Sequence, residues 1–199
     1  ILDEAISIAV DGEVQNLDYA TVNGYAFVNS SSIGAYPEAI LTRENLRDSL
    51  TKMTAMAVAI VKTAQANETM RITITANGKS QTLDTPSVFI GNNLYDLEGV
   101  GVPVRNRLQD GLLGVYILEA GSIGDLLAAG LFAFAGKQHD KIISFTTKTN
   151  LILESDQKST ELSLDGEVAK FDFPLEYQIH PKALKVMVPK SRKDGFDLE

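Results

Sequence analysis

Two carboxylates flank a glycine late in the chain, in the segment Leu162–Ser163–Leu164–Asp165–Gly166–Glu167–Val168. A carboxylate can take a proton from a hydroxyl when it is placed within reach of one. Leu162 and Leu164 alternate with Glu161 and Ser163, so the approach reads as a half-buried strand with its leucines inward. Gly166 lets the backbone turn sharply there or lie close to another group. The plainer reading is a hairpin, because Asp-Gly between apolar runs is a turn signal. Asp110–Gly111 repeats the acidic-Gly pair ahead of the apolar run Leu112–Leu118. Asp11–Gly12 repeats it again within Val10–Asp11–Gly12–Glu13–Val14, but the echo extends no further and reads as a plain turn.

The chain of 199 residues is long enough for a sizeable core. Hydrophobic residues make up 44% and charged residues 22%, the balance of a soluble globular domain rather than a disordered one. A net charge of −8 disfavours a nucleic-acid surface, which needs clustered Lys and Arg, and electrostatic docking to anionic lipid headgroups. With no cysteine there is neither a disulfide nor a thiolate metal site, which suits a cytoplasmic protein. The longest apolar runs, Met53–Val61 and Leu126–Ala135, fall short of the roughly 20 residues that span a bilayer, and no signal peptide is visible. The chain opens at Ile1, inside what reads as an element, as expected for a piece of a longer protein. Residues 191–199 form a polar tail whose closing Leu198–Glu199 reads as a cloning scar.

A short apolar run, Asp3–Val10, precedes strands at Val14–Val22 and Tyr25–Asn29, joined by the hairpin signal Asn23–Gly24. Ser30, Ser31 and Ser32 lead to Gly34 and a segment through Pro37 that reads as mobile. From Arg43 the period changes. Leu46, Leu50, Met53, Met56, Ile60 and Ala64 make one helical stripe, read as core. Strand character returns at Met70–Thr75, Gln81–Leu83 and Ser87–Ile90, with Asn77–Gly78 as a second hairpin turn, and a Gly- and Asn-rich loop runs from Gly91 to Gly101. Ser122 to Asp125 has N-cap spacing before an Ala-rich helix over 126–135, and Gly136 is its expected end. Ile142–Thr147, Leu151–Glu154, Thr160–Leu164, Val168–Phe173 and Leu184–Val188 complete the strands. Hairpins outnumber βαβ spacings. The expected fold is mainly β (α+β): one domain over 1–190, an antiparallel β-sandwich of about ten strands with two packed helices. His139 and His180 read as unpaired surface residues.

In this order the pieces resemble the C-terminal domain of the diacylglycerol kinase and sphingosine kinase superfamily, in its bacterial lipid-kinase branch. Four segments carry the likeness: Val22–Asn29, Phe89–Asn93, Leu108–Leu113, and Leu164–Glu167 followed by Ala183–Val186. The family often has a second acidic residue where Gln109 stands. The resemblance implies a β-sandwich like the C-terminal domain of NAD kinase and diacylglycerol kinase-like proteins. There it closes over a lipid acceptor such as diacylglycerol, while a separate N-terminal domain binds ATP. That domain's Gly-Gly-Asp-Gly-Thr motif is absent from this sequence, as is any Walker-type loop.

Residue by residue, the resemblance implies Glu167 as the general base toward the lipid hydroxyl and Asp165 as its orienting partner. It implies Asn92 and Asn93 at the lipid headgroup, although loop-capping asparagines are an equal alternative. It implies a structural Mg²⁺ held by Asp110 with the carbonyls of Arg107 and Leu112, against the alternative of a hairpin turn. In the related NAD kinases a Gln stands where Glu167 does, which points this chain to the lipid side. The implied activity is ATP-dependent lipid phosphorylation, absent from this chain by itself, at a cytoplasmic location with transient contact at a membrane surface. Two other readings stay open: a non-catalytic lipid- or protein-binding module, and an oligomerisation domain, such as a homodimer, whose exposed sheet pairs between subunits.

Overall fold

The computed structural model describes residues 2–34, 69–95, 107–119 and 142–190. Both helices expected from periodicity, over 43–64 and 126–135, and the polar tail lie outside these residues. One helix is described, α1 (Leu2–Asp11), where the sequence shows only a short apolar run. The Gly12 N–H closes it on the Ile8 carbonyl at 2.9 Å, so Asp11–Gly12 is a helix end, not a strand turn.

Among the described residues twelve strands follow: β1 (Glu13–Val22), β2 (Tyr25–Phe27), β3 (Ser30–Gly34), β4 (Met70–Ala76), β5 (Lys79–Thr85), β6 (Ser87–Asn92), β7 (Leu113–Leu118), β8 (Ile142–Thr147), β9 (Leu151–Ser155), β10 (Ser159–Leu164), β11 (Glu167–Asp172) and β12 (Leu175–Val188). They form two six-stranded antiparallel sheets, ordered β2-β1-β12-β9-β4-β5 and β11-β10-β3-β6-β7-β8. The expected β-sandwich is what forms.

Alternation explains most of it. Ala20, Val22, Ile72, Leu153, Leu175 and Tyr177 from the first sheet meet Ile33, Val88, Ile90, Val115, Ile117 and Leu162 from the second in one core. Each fully buried aliphatic side chain contributes about 1.5–3 kcal/mol. Tyr177 crosses the gap: its hydroxyl lies 3.0 Å from Ser31 Oγ and its ring packs edge-on to Phe27. Burial pushes the Tyr177 phenol well above its ordinary range, and the Ser31 hydrogen bond only partly opposes this.

Three hairpins turn on two residues of positive φ: Asn23–Gly24 (48° and 84°), Asn77–Gly78 (52° and 73°) and Asp165–Gly166 (49° and 96°). Asn, Asp and Gly are the residues that tolerate this region, which is why these turns are visible in sequence.

Two segments depart from expectation. Ser30–Gly34, where no strand is expected, is the interior strand β3, paired with β10 and β6, while 35–37 lie outside the described residues. Ser31 and Ser32 are buried because they lie mid-sheet, a placement that residue type alone disguises. β12 runs unbroken for 14 residues through Pro181, well beyond the expected 184–188. Its pairing with β1 shifts register between Leu17 and Tyr19, where Leu17 faces Leu184 but Tyr19 faces His180. That bulge absorbs a proline that regular pairing would reject.

Candidate functional site

Asp165 is the first residue of the β10–β11 turn, and its carboxylate is turned back onto the start of β3. Oδ2 accepts the Val28 N–H at 2.8 Å, and Oδ1 accepts the Asn29 and Ser30 N–H groups at 2.7 and 2.9 Å. The Asp165 N–H donates to the Ser30 carbonyl at 2.9 Å. The turn is thus a hairpin and a clamp together. Both oxygens are engaged on backbone, so Asp165 fixes the β2–β3 connection beside the hairpin.

Glu167 opens β11, an edge strand, and its side chain is exposed. It pairs with Leu164, which in turn pairs with Ser31 and through it with Ile90. Ser31 and Ile90 face the core, so Glu167 falls on the sandwich side of its strand, at the rim. Two contacts locate that rim. Tyr25 on β2 packs edge-on against Phe171 at 5.1 Å between ring centroids, and Val28 just past β2 meets Asp165. β2 therefore runs alongside β11, and Glu167 lies on the strip between them, with the exposed Tyr25 and Val28 side chains on its far side. Among the described residues the Glu167 side chain makes no hydrogen bond or ion pair.

Asn92 ends β6 in the interior and Asn93 follows it. Asn92 is buried and its amide donates to the carbonyls of Asp18 at 2.9 Å and Val28 at 3.0 Å. Asn93 is also buried, at φ 69°, and its Oδ1 has no hydrogen-bond partner among the described residues. After it the chain folds over Gly91, where a Cβ would stand 2.7 Å from the Tyr95 ring and 2.8 Å from the Asn93 carbonyl. Tyr95 N–H donates to the Tyr116 hydroxyl at 3.0 Å.

Of the expected cation ligands, the Leu112 carbonyl accepts the Asn93 N–H at 3.0 Å and keeps a second lone pair. Asp110 Oδ2 stands 4.0 Å from Arg107 Nη1, beyond hydrogen-bonding distance. One carboxylate and two carbonyls give three oxygen donors, the chemistry a hard cation takes, with solvent left to complete the shell. In kind, a carboxylate and carbonyl oxygens are donors that Mg²⁺ takes. Among the described residues no three His, Asp or Glu side chains gather as a cluster.

The sequence passes over Asp18. This Asp occupies an inward position of β1 and is 2% exposed. Its Oδ2 accepts the Gly111 N–H and its Oδ1 the Lys182 N–H, both at 2.7 Å. A charged residue in phase with inward Ala20 and Val22 is the signal that marks it. His180 is likewise no plain surface residue. It is half-buried, stacked on Tyr19 at 4.6 Å, and its Nε2 lies 3.1 Å from Thr21 Oγ1. His139 lies outside the described residues.

Residues 30–188 match the family described as the YegS C-terminal NAD kinase beta sandwich-like domain. Among solved structures, a proposed diacylglycerol kinase from Bacillus anthracis str. Sterne shares 20% identity at a TM-score of 0.67, over 94% of this chain and 62% of that one. A diacylglycerol kinase structure from the same strain shares 17% at a TM-score of 0.59, over 94% of this chain and 58% of that one. The chain thus spans about three fifths of the length of these structures. At such identities the likeness is one of fold.

Proposed function

The chain belongs to the family of YegS C-terminal NAD kinase beta sandwich-like domains, and from that membership we propose that it is the acceptor side of a diacylglycerol kinase-like lipid kinase. In this reading the phosphate of ATP comes from a nucleotide-binding domain of the same protein, and the lipid hydroxyl is presented at the β2–β11 rim. One observation carries it. Glu167 offers a carboxylate with no described partner on the sandwich side of an edge strand, facing the exposed apolar side chains of Tyr25 and Val28.

The division of labour follows from the contacts. Glu167 accepts the proton as the lipid hydroxyl attacks. Phosphoryl transfer through a loose transition state needs positioning more than a strong base, so an ordinary carboxylate is adequate. Asp165 acts one step back: by holding the Val28, Asn29 and Ser30 amides it keeps β2 at a fixed distance from β11. Asn92 anchors the 92–95 turn from beneath, and Asn93, fully buried beside it, serves that same turn behind the headgroup. A Mg²⁺ at Asp110 and the Arg107 and Leu112 carbonyls would supply fixed positive charge to that loop. The chain contacts a membrane surface only in passing, as it takes up its lipid; no helix among the described residues is long and apolar enough to cross one.

The test is transfer of labelled phosphate from ATP to diacylglycerol in mixed micelles, by this chain alone and by the chain joined to a nucleotide-binding half. The joined protein is expected to phosphorylate the lipid and the chain alone is not. Lipid phosphorylation by the chain alone, or none by the joined protein, overturns the reading.

A further inference from the structure

Asp18 is a carboxylate in the core of a sheet, a placement that costs free energy unless its charge is answered. The answer is two backbone N–H groups from distant places, Gly111 and Lys182, one on each oxygen at 2.7 Å. Its own backbone adds two more ties: the Asp18 N–H donates to the Leu108 carbonyl at 2.9 Å, and its carbonyl accepts from the Asn92 amide at 2.9 Å. Lys182 sits at φ 54° in the β12 bulge that Asp18 faces. Gly111 is at φ 64° and lies so close to Pro181 that a Cβ would stand 3.3 Å from it. The 107–112 segment is therefore seated on the bulge, with one carboxylate as the shared anchor.

We propose that Asp18 is the positioning residue of the cation loop, fixing the Arg107 and Leu112 carbonyls about Asp110 and linking cation binding to the Lys182 bulge. The inference rests on the Mg²⁺ reading of that loop. Asp18 is not itself a ligand, since its oxygens are engaged on Gly111 and Lys182. Its effect runs through the Gly111 and Leu108 peptides, which bracket Asp110 on both sides. Because binding and loop order are linked, the coupling works in reverse: a cation at Asp110 steadies Gly111, then Asp18, then the Lys182 amide.

The experiment is a calorimetric titration of the purified chain with MgCl₂, alongside Asp18→Asn and Asp110→Asn, with amide exchange at Gly111 and Lys182 followed by NMR. Asp18→Asn keeps size and one acceptor oxygen but turns an NH₂ toward the other amide. It is expected to weaken Mg²⁺ at least tenfold, and Asp110→Asn to abolish binding. Mg²⁺ is expected to slow exchange at Lys182 in the wild type and not in Asp110→Asn. Should Asp18→Asn fail to fold, the wild-type exchange decides alone. Wild-type affinity in Asp18→Asn, or Lys182 exchange indifferent to Mg²⁺ in a wild type that binds it, overturns the inference and leaves the cation site standing. A wild type that binds no Mg²⁺ removes the cation reading and the inference with it.

Discussion

Asp165 and Ser30 hold each other in both directions: the Asp165 N–H donates to the Ser30 carbonyl at 2.9 Å, and the Ser30 N–H donates to Asp165 Oδ1 at 2.9 Å. The pair joins the tip of the β10–β11 hairpin to the first residue of β3. Replacing the side chain strips acceptors from three amides and leaves the φ of 49° to a residue less suited to it. Charge-assisted hydrogen bonds at an exposed site, plus left-handed strain, put the cost of Asp165→Ala at about 2–3 kcal/mol. Asp165→Asn keeps one acceptor and tolerates the turn, so it costs about 1 kcal/mol. Urea unfolding reads both as lowered midpoints at unchanged slope. Equal stability of Asp165→Ala and wild type would show that the clamp is idle.

Glu167→Gln is expected to leave that unfolding midpoint within about 0.5 kcal/mol of wild type, as for an exposed site. In the protein joined to its nucleotide half it is expected to lower kcat by roughly 10²–10⁴-fold, the range for loss of a general base. Steady-state assays with diacylglycerol measure it. Unchanged kcat would make Glu167 a strand residue and nothing more.

Asn92→Ala removes the donor to the Asp18 and Val28 carbonyls inside the sandwich. A loss of about 1–3 kcal/mol in unfolding free energy is expected, from buried carbonyls left unpaired. The lipid KM of the joined enzyme is expected to stay near wild type. A raised KM with full stability would instead put Asn92 at the headgroup.

Tyr177 makes stability fall in alkali. Its folded-state pKa is raised by burial, so above the unfolded phenol value of about 10 the unfolded chain loses a proton that the folded chain keeps. This contribution is complete below about pH 10 and declines as pH rises toward the folded value, by up to about 1.4 kcal/mol per pH unit. Tyr177→Phe gives up the Ser31 hydrogen bond, about 1–2 kcal/mol at neutral pH. Its stability above pH 10 is expected to fall less steeply than that of wild type. Parallel curves for the two proteins would deny Tyr177 this role.

Local chemistry made much of the fold legible. Asn23–Gly24, Asn77–Gly78 and Asp165–Gly166 announce hairpins because few other residues accept positive φ, and alternating Ile, Val and Leu announce strands because side chains point to opposite faces at every step. Ser30–Ser31–Ser32 hid a central strand because hydroxyls mimic a loop. Their burial comes from partners that arrive from 87–91 and 162–164. The site split along the same line. Glu167 could be singled out as a carboxylate after a glycine, but its place on the sandwich side of the rim depends on β2 lying beside β11.

The sequence by itself determined the two-residue turns, the alternating faces and the excess of strands over helices, all of which are settled by neighbours a few residues apart. Only the tertiary structure decided that Asp165 grips the amides of Val28, Asn29 and Ser30, and that Asp18 anchors both Gly111 and Lys182. Those contacts reach across the chain, from 93 residues between Asp18 and Gly111 to 164 between Asp18 and Lys182. A side chain's own pattern cannot encode a partner that far away, because the order of strands in a sheet is fixed by the packing of the whole core.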